Sequence, residues 1–390
     1  MGADGKLILS KKRFNAFLCM FMLLLGINFS VYQSLITDIN SFFGLDGAAA
    51  GALIALYFLG SLLAPTLAGE LSDRAGKKVV LIVSCAVLIL GLITISQAYN
   101  IVIAGLGILL AGTGSCTFEG LLSAKITDDN PQTSEKIMNF SQLFFCVGAV
   151  LGPMLSLAVK SLGGGWQLIM LLNAIVFIPA LAPLAWIQND KKTASDKSNT
   201  AYSLTLIKDT RFLVFFFSMM LYVGAEGGVG FFITSYYSEA GMVAYGEIAL
   251  SLFWAGMIVG RLLAGIFYKQ SNKIMMLCIA FSAFFSFLLQ IAQHTAASIA
   301  LFFLLGLGMS AIWPLLMAFC TKTFSHYSGT AGGLMVVGAS LGGMLGPALI
   351  GAISSAVGVR RAFVVSTVSM IIIFIVNLPT KKIYINFTRN

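Results

Sequence analysis

Two acidic residues lie in the middle of long apolar stretches of this chain, where a charge is costly. Glu119 occurs in AGTGSCTFEGLLSA and Glu226 occurs in YVGAEGGVGFF. A carboxylate at such a position must face other protein or a water-filled cavity, and it often marks the path of an ion or a ligand. Both acids are therefore candidates for binding a proton. For Glu119 the alternative is a protonated side chain that bonds to a neighbouring helix and has no further role.

Amide and phenol side chains interrupt other apolar stretches. Asn28 and Tyr32 are four residues apart and share a helical face, with Gln33 adjacent, while Asn139 and Gln142 are three residues apart. Buried amides need hydrogen-bond partners, and the hydroxyls of a sugar are suitable donors and acceptors. For each amide, a hydrogen bond between helices is an equal alternative to ligand binding.

Two tryptophans and a glycine cluster complete the candidate site. Trp254 and Trp313 lie away from the ends of their apolar runs, so either ring is a candidate platform for a sugar ring, with core packing as the alternative. Four glycines in seven residues around Glu226 predict a weakened helix there. Interrupted helices at mid-membrane are where transporters place their sites, so Glu226 is a candidate for substrate binding as well.

The composition defines a membrane protein. The chain has 390 residues, of which 58% are hydrophobic and 10% are charged, and a polytopic membrane protein is the class with this balance. The six cysteines show no metal-ligand spacing, and the sequence has neither a GxxxxGK[ST] loop nor a Ser/His/Asp array. We therefore expect no metal site, no cofactor, no enzymatic activity and no direct use of ATP. Met1–Arg13 is polar and basic, unlike a cleaved signal peptide.

Twelve apolar runs, numbered here as spans one to twelve, predict an all-α fold with twelve transmembrane helices. The runs are Phe14–Ile36, Gly47–Gly69, Val79–Gln97, Ile101–Ile126, Ile137–Val159, Trp166–Ile187, Phe212–Tyr237, Glu247–Tyr268, Ile274–Gln293, Ser298–Thr321, Gly329–Val357 and Ala362–Leu378. A polar stretch over residues 188–208 has the composition of a linker. We expect two six-helix bundles, 1–187 and 209–390, joined by that linker.

The basic residues predict the orientation. With the N-terminus inside, all but three of the 24 Lys and Arg residues lie on the inner side, the exceptions being Lys160, Arg360 and Arg361. Such a bias is typical of a plasma (inner) membrane protein, here with both termini in the cytoplasm. The net charge of +9 then reflects topology, and we expect no nucleic-acid partner.

An internal repeat relates the two halves. The matched glycines are Gly26 with Gly224, Gly60 with Gly256, Gly112 with Gly306 and Gly148 with Gly342. Four matches in the same order indicate parallel duplicates of one fold. The alignment places Glu119 opposite Trp313 and Asn28 opposite Glu226, so each half carries a different acid.

The loop after span two, GELSDRAGKK from Gly69 to Lys78, resembles the GxLxDRxGRK signature of the major facilitator superfamily. The order of six spans, a linker and six spans is also that of the superfamily. The resemblance implies a conformational latch in which Asp73 accepts hydrogen bonds from a helix N-terminus and Arg74 stays cytoplasmic. A basic turn without that role is the alternative. The loop in the second half keeps Arg261 and lacks the acid.

Three stretches resemble the fucose/glucose/galactose permease branch of that superfamily, namely GTGSCTFEG, MNFSQLFFCVGAVLGP and YVGAEGGVGFF. They carry the acid of span four, the Asn/Gln pair of span five and the YVGAE-type motif of span seven. Some members have a further carboxylate in span one, where this chain has Asn28, Tyr32 and Gln33. If coupling needs a second acid, Glu226 must supply it.

The resemblance implies a monomeric carrier that imports a hexose or deoxyhexose with protons by alternating access. Glu119 and Glu226 would then bind protons, and Gly69, Asp73, Arg74 and Arg261 would act in conformational gating. The residues that would contact the sugar come from spans one, five, seven, eight and ten, and they are Asn28, Tyr32, Gln33, Asn139, Gln142, Glu226, Trp254 and Trp313. A proton-driven exporter of drugs or metabolites with the same fold is the alternative. A sensor on this scaffold would need an added soluble domain or a long tail, and the sequence shows neither.

Overall fold

A computed structural model describes residues 11–129, 134–186, 206–267, 270–324 and 328–378, with side chains left undescribed at 11–16, 63–75, 123–129, 134–140 and 328–330. The helices of these segments are α1 Lys11–Phe43, α2 Gly47–Ala75, α3 Lys77–Ser96, α4 Ile101–Asp129, α5 Ser134–Ser161, α6 Trp166–Phe177, α7 Leu181–Ala185, α8 Thr210–Ser238, α9 Val243–Ile266, α10 Ser271–Ile291, α11 Thr295–Met309, α12 Ile312–Thr323, α13 Ser328–Val357, α14 Val359–Ala362 and α15 Val364–Asn377. The predicted linker lies mostly outside the described residues, which resume at residue 206.

Eleven helical stretches of the described chain are long and apolar enough to cross a membrane, and α2 supplies a further apolar helix over Gly47–Leu62. A helix satisfies its own backbone hydrogen bonds, which hydrocarbon requires. Large apolar side chains project outward from these helices, as Leu106, Phe284 and Ile375 do, each more than half exposed. The all-α membrane fold predicted from the sequence is confirmed.

The chain divides into two compact units. One comprises Met1–Phe43 with Leu56–Asp196, and the other comprises Gly44–Ala55 with Lys197–Asn390. In the first unit α1 packs against α5, and α3 packs against both α4 and α6. In the second unit α8 packs against α13, and α10 packs against both α11 and α15. These pairs occupy matching places in the two sets of six spans, as the internal repeat predicts.

Two matched glycines show why the repeat retains them. A Cβ atom at Gly112 would overlap the carbonyl oxygen of Tyr57, so α4 approaches α2 closely. A Cβ atom at Gly306 would overlap the carbonyl oxygen of Phe253, at the equivalent approach of α11 to α9. Small residues allow helix backbones to touch, and van der Waals packing is the main source of helix association in a membrane. The same contact is therefore used in both units.

Prolines interrupt two of the predicted spans. Span six consists of α6 and α7 with a turn at Ile178–Ala180, and span ten consists of α11 and α12 with a turn at Ser310 and Ala311. Pro179 and Pro314 lie at these two interruptions. Proline lacks an N–H group, so it leaves a carbonyl one turn earlier without its helical partner.

The predicted weakening of span seven around Glu226 was wrong, because α8 runs unbroken from Thr210 to Ser238. The glycines there serve packing. A Cβ atom at Gly224 would lie 3.0 Å from the carbonyl oxygen of Gly342, and one at Gly228 would lie 2.5 Å from Cδ1 of Ile350, both on α13. The close fit of α13 stabilises a helix that glycine content alone would weaken.

Candidate functional site

The polar side chains of α1 lie inside the first unit. Asn28 is 1% exposed, Tyr32 is 3% exposed and Gln33 is 1% exposed. Asn28 Oδ1 accepts a hydrogen bond of 3.0 Å from the Nδ2 of Asn173, and Asn28 Nδ2 lies 3.5 Å from Ser115 Oγ. Spans six, one and four are therefore connected through a buried polar chain.

Asn173 is a site residue that the sequence reasoning missed. It is 6% exposed in α6, and its Oδ1 has no hydrogen-bond partner in the described structure. A buried amide oxygen without a partner is costly, so it is a natural acceptor for a water or a ligand hydroxyl. The available signal was an amide in the middle of the apolar run Trp166–Ile187, whose other amide, Gln167, lies at its start.

Glu119 and Gln142 come together, as their placement in spans four and five allowed. Gln142 Nε2 lies 3.4 Å from Glu119 Oε1, a long hydrogen bond, and both side chains are half-buried. An amide N–H can donate to a carboxyl group in either protonation state, so this contact holds Glu119 in place without fixing its charge. The side chain of Asn139 lies outside the described residues.

Tyr57 joins this cluster from α2 and was also missed. It interacts with the side chains of Ser115, Cys116 and Glu119, all on α4. Its ring stacks on that of Tyr32, with centroids 5.3 Å apart and planes 26° apart. The phenol and the carboxyl group thus share one polar region of the first unit.

A small cavity lies beside these rings. It measures about 10 Å³ and is lined by Asn28, Tyr32, Tyr57, Leu92, Ile95, Ile108, Ala111 and Met170. That volume is close to the minimum for one water molecule, so the cavity does not hold a sugar. Its polar lining comes from the side chains that α1 and α2 bring together.

The second unit places Glu226 between two polar partners. Tyr222 lies one turn earlier on α8 and interacts with the Glu226 side chain, and the charge of Arg261 on α9 acts on the same carboxyl group. Tyr222 is fully buried, whereas Glu226 and Arg261 are half-buried. The acid of span seven therefore has a cation and a phenol within its own unit.

The two tryptophans have different surroundings. Trp254 is 2% exposed, and its ring meets that of Phe253 edge-on at 5.8 Å. Trp313 is half-buried at the second position of α12, directly after the interruption of span ten. Of the two rings, Trp313 is the more accessible platform.

Glu247 is a buried acid that was treated as the boundary of span eight. The helix α9 begins at Val243, four residues earlier, and Glu247 is completely buried. The predicted run began at Glu247, whereas the structure places this acid inside the helix. Span eight therefore contains two charged residues, Glu247 and Arg261.

The proposed gating motif is only partly described. The helix α2 continues through Gly69, Asp73 and Arg74, whose side chains lie outside the described residues. Gly76, at the turn into α3, has a φ of 90°, a backbone conformation that favours glycine. Lys78 donates a hydrogen bond to the carbonyl oxygen of Ala185, which places this lysine at the end of α7.

At the other end of the first unit, Lys160 pairs with Asp38 at 2.7 Å. Lys160 is one of the three basic residues that the sequence predicts on the outer side, and the structure shows that an acid offsets its charge. Among the described residues, no group of three His, Cys, Asp or Glu side chains is arranged to hold a metal ion.

The spanning helices and the buried polar clusters define a membrane transport protein. The Major Facilitator Superfamily matches residues 17–273 and 271–385 of the chain. The chain belongs to the Major Facilitator Superfamily, and it is a transporter rather than an enzyme.

Relatives of this chain include sugar transporters and a drug-resistance protein. The glucose/galactose transporter of Brucella abortus is 27% identical over 338 residues, covering 79% of this chain and 78% of the relative. The glucose/mannose transporter GlcP of Bacillus subtilis is 24% identical over 316 residues, covering 76% of this chain and 75% of the relative. The tetracycline resistance protein, class B, of Escherichia coli is 26% identical over 322 residues, covering 78% of each chain.

Solved structures agree on the fold. FucP, a major facilitator transporter in the outward conformation, has a TM-score of 0.68 at 19% identity, covering 93% of this chain and 97% of FucP. The nucleoside transporter NupG has a TM-score of 0.71 at 16% identity, covering 95% of this chain and 99% of NupG. These likenesses support the twelve-helix major facilitator architecture.

Proposed function

We propose that this chain is a secondary transporter that imports a hexose or deoxyhexose together with protons. The observation that carries the proposal is the buried chain of amide and hydroxyl groups from Asn173 through Asn28 to Ser115. Buried polar groups of this kind match the hydroxyls of a sugar. Relatives named as glucose/galactose and glucose/mannose transporters support the same substrate class.

The proton is assigned to the acids of the two units. Glu119 lies beside Gln142 and Tyr57, and Glu226 lies beside Tyr222 and Arg261. A carboxyl group near mid-membrane can take a proton on one side and release it on the other when its access to water alternates. Glu119 would be the principal proton site, and Glu226 would bind substrate or a second proton.

The substrate contacts follow from the same clusters. Asn28, Gln33, Asn139 and Gln142 would bond sugar hydroxyls, Tyr32 would line the site, and Trp313 or Trp254 would stack on the ring. The bundles, 1–187 and 209–390, would alternate access across the plasma membrane with both termini in the cytoplasm. Gly69, Asp73, Arg74 and Arg261 would act in gating, and the carrier would work as a monomer.

The test begins with binding and then measures transport. Purified protein is screened by thermal unfolding against hexoses, deoxyhexoses and amino sugars, since a ligand stabilises the state that it binds. The sugar that raises the melting temperature is then offered to proteoliposomes with and without an inward proton gradient. We expect accumulation above the external concentration only with the gradient. No stabilisation by any sugar, together with no gradient-driven uptake, would refute the proposal.

A drug or metabolite exporter is the second candidate, and similarity to the tetracycline resistance protein favours it. An exporter exchanges its substrate for protons, so substrate and protons cross the membrane in opposite directions. Substrate that enters the proteoliposomes would therefore drive protons out and acidify the external solution. Proton flux measured with a pH-sensitive dye in the same proteoliposomes separates the two. Sugar and proton entering together supports import, and opposite directions with an amphipathic compound supports export.

A further inference from the structure

The interruption of span ten leaves two carbonyl groups that a regular helix would have satisfied. The helix α11 ends at Met309 and α12 begins at Ile312. In a continuous helix the carbonyl of Ser310 would accept from the N–H of residue 314, but Pro314 has none. A carbonyl inside a membrane protein must then find another donor.

Side chains from two neighbouring helices donate to these carbonyls. The hydroxyl of Tyr222, on α8, donates to the carbonyl oxygen of Met309 at 2.9 Å. The Nε of Arg261, on α9, donates to the carbonyl oxygen of Ser310 at 3.3 Å. The turn between α11 and α12 is therefore held from two sides by these donors.

The same two side chains are neighbours of Glu226, because Tyr222 lies one turn earlier on α8 and the charge of Arg261 acts on the carboxyl group. The helices α13 and α15, which also pack against α8, carry no ionisable residue in their described parts. The remaining ionisable residues on elements packed around α8 are Tyr245 and Glu247 near the start of α9, Cys320 and Lys322 in the second half of α12, and Arg360 and Arg361 in α14. Arg360 lies over the ring of Tyr236, ten residues beyond Glu226.

The chemistry of Tyr222 makes this arrangement sensitive to a proton. A phenol has a single proton to donate, and Tyr222 donates it to Met309. Glu226 can then bond to the phenol oxygen only by donating a proton of its own. A carboxylate at Glu226 instead competes for the phenol proton and attracts the guanidinium of Arg261, because hydrogen bonds to a charged acceptor are the stronger ones.

We propose that Tyr222 and Arg261 are positioning residues that transmit the protonation of Glu226 to the interruption of span ten. With Glu226 protonated, both donors stay on the carbonyls of Met309 and Ser310. With Glu226 ionised, both donors turn toward the carboxylate and release the turn. This inference deepens the proposed function, since it gives Glu226 its part in proton coupling.

Trp313 reports on the turn, because it lies three residues beyond Ser310. The Trp313 emission of the purified full-length protein is obtained by subtracting the spectrum of Trp313→Phe from that of the wild type. The difference is followed from mildly acidic to mildly alkaline pH, without sugar and without a gradient. We expect a sigmoidal shift of the Trp313 emission that Glu226→Gln abolishes and that both Tyr222→Phe and Arg261→Lys reduce.

For each of these variants, the Trp313 emission is obtained by subtracting the spectrum of the double variant that also carries Trp313→Phe. Arg261→Lys keeps the charge and removes the Nε donor, and it keeps the test decisive should Tyr222→Phe fail to fold. Glu239→Gln, at the exposed end of α8, is the matched control and should retain the shift. The inference is overturned by a shift that survives in Glu226→Gln, by no shift in the wild type, or by equal loss in Glu239→Gln. None of these results depends on transport. Failure of this inference can therefore be distinguished from failure of the proposed function.

Discussion

Asn173 donates a hydrogen bond of 3.0 Å to Asn28 across 145 positions of sequence. The bond joins α6 to α1 in the interior of the first unit, and Asn28 continues toward Ser115 on α4 at 3.5 Å. Asn28 thus has an interhelical partner on both its amide oxygen and its amide nitrogen. Substitutions can distinguish this structural role of Asn28 from a role in binding substrate.

Asn173→Leu should destabilise the protein by about 1 kcal/mol. The value lies between the roughly 0.6 kcal/mol average of hydrogen bonds between membrane helices and the about 1–3 kcal/mol cost of a buried unsatisfied group. Thermal unfolding in detergent gives the comparison, and Asn28→Leu with Asn173→Leu should cost less than the sum of the single changes. Stabilisation by sugar should be lost in Asn28→Leu and reduced in Asn173→Leu. Equal loss in both variants would make the pair purely structural.

Glu119→Gln should abolish uphill accumulation of sugar while exchange of labelled for unlabelled sugar continues. The amide cannot release a proton, but it can still bond to Gln142 as the acid does. Proteoliposomes with and without a proton gradient provide both measurements. Gln142→Leu removes the donor and keeps the acid, so it should weaken sugar binding and leave the dependence on the gradient. Gradient-driven accumulation by Glu119→Gln at the wild-type level would contradict the assignment.

The fold was predictable because hydrocarbon admits few solutions. A stretch of about twenty apolar residues can cross a membrane as a helix, because a helix satisfies its own backbone hydrogen bonds. The glycine matches of the repeat were also informative, since Gly112 and Gly306 make equivalent contacts with Tyr57 and Phe253. Spacing along one chain is sufficient for such conclusions.

The side-chain partners were not predictable in the same way. Nothing in the spacing of Asn28 and Asn173 indicates that they meet, and nothing in the sequence around Glu247 indicates that it lies buried in α9. The interruption was predicted near Glu226, where glycines are dense, but it lies before Pro314. Glycine keeps its N–H and can pack tightly inside a helix, whereas proline removes a hydrogen bond outright.

Gly112→Ala should prevent correct folding, because the added Cβ would overlap the carbonyl oxygen of Tyr57. Gly120 lies on the same helix and has no atom within 4 Å of the place that an added Cβ would take, so Gly120→Ala is the matched control. The control should be neutral or more stable, since alanine is the better helix former by about 1 kcal/mol. Yield and gel-filtration profile in detergent distinguish them. Equal behaviour of the two variants would show that α2 and α4 can separate at no cost.

Asp209 caps the first turn of α8, accepting from the backbone N–H of Arg211 at 2.8 Å and pairing with its guanidinium at 2.7 Å. The hydrogen bond from the Arg211 side chain holds the pKa of Asp209 below its usual range. A lowered pKa contributes stability that is present above the unfolded value and is lost as the pH falls through the folded value. The contribution of Asp209 to the stability of the protein should therefore be lost only in strongly acidic solution.

Asp209→Ala should cost about 1 kcal/mol at neutral pH through loss of the cap. Asp209→Asn keeps a capping oxygen and loses only the ion pair, which is worth less because Arg211 is about half exposed. Melting temperatures of both variants across a pH series provide the check. A larger loss for Asn than for Ala would contradict the capping role.

Pro314→Ala should repair the interruption of span ten. Alanine supplies the N–H that the carbonyl of Ser310 lacks, so α11 and α12 can continue as one helix and Arg261 is no longer needed as a donor. We expect a higher melting temperature together with slower sugar exchange, because a straightened helix loses the turn that Tyr222 and Arg261 hold. Pro153→Ala, in α5 of the first unit, is the matched control for removing a proline inside a spanning helix. Unchanged exchange in Pro314→Ala would mean that the turn has no part in the transport cycle, whatever its effect on stability.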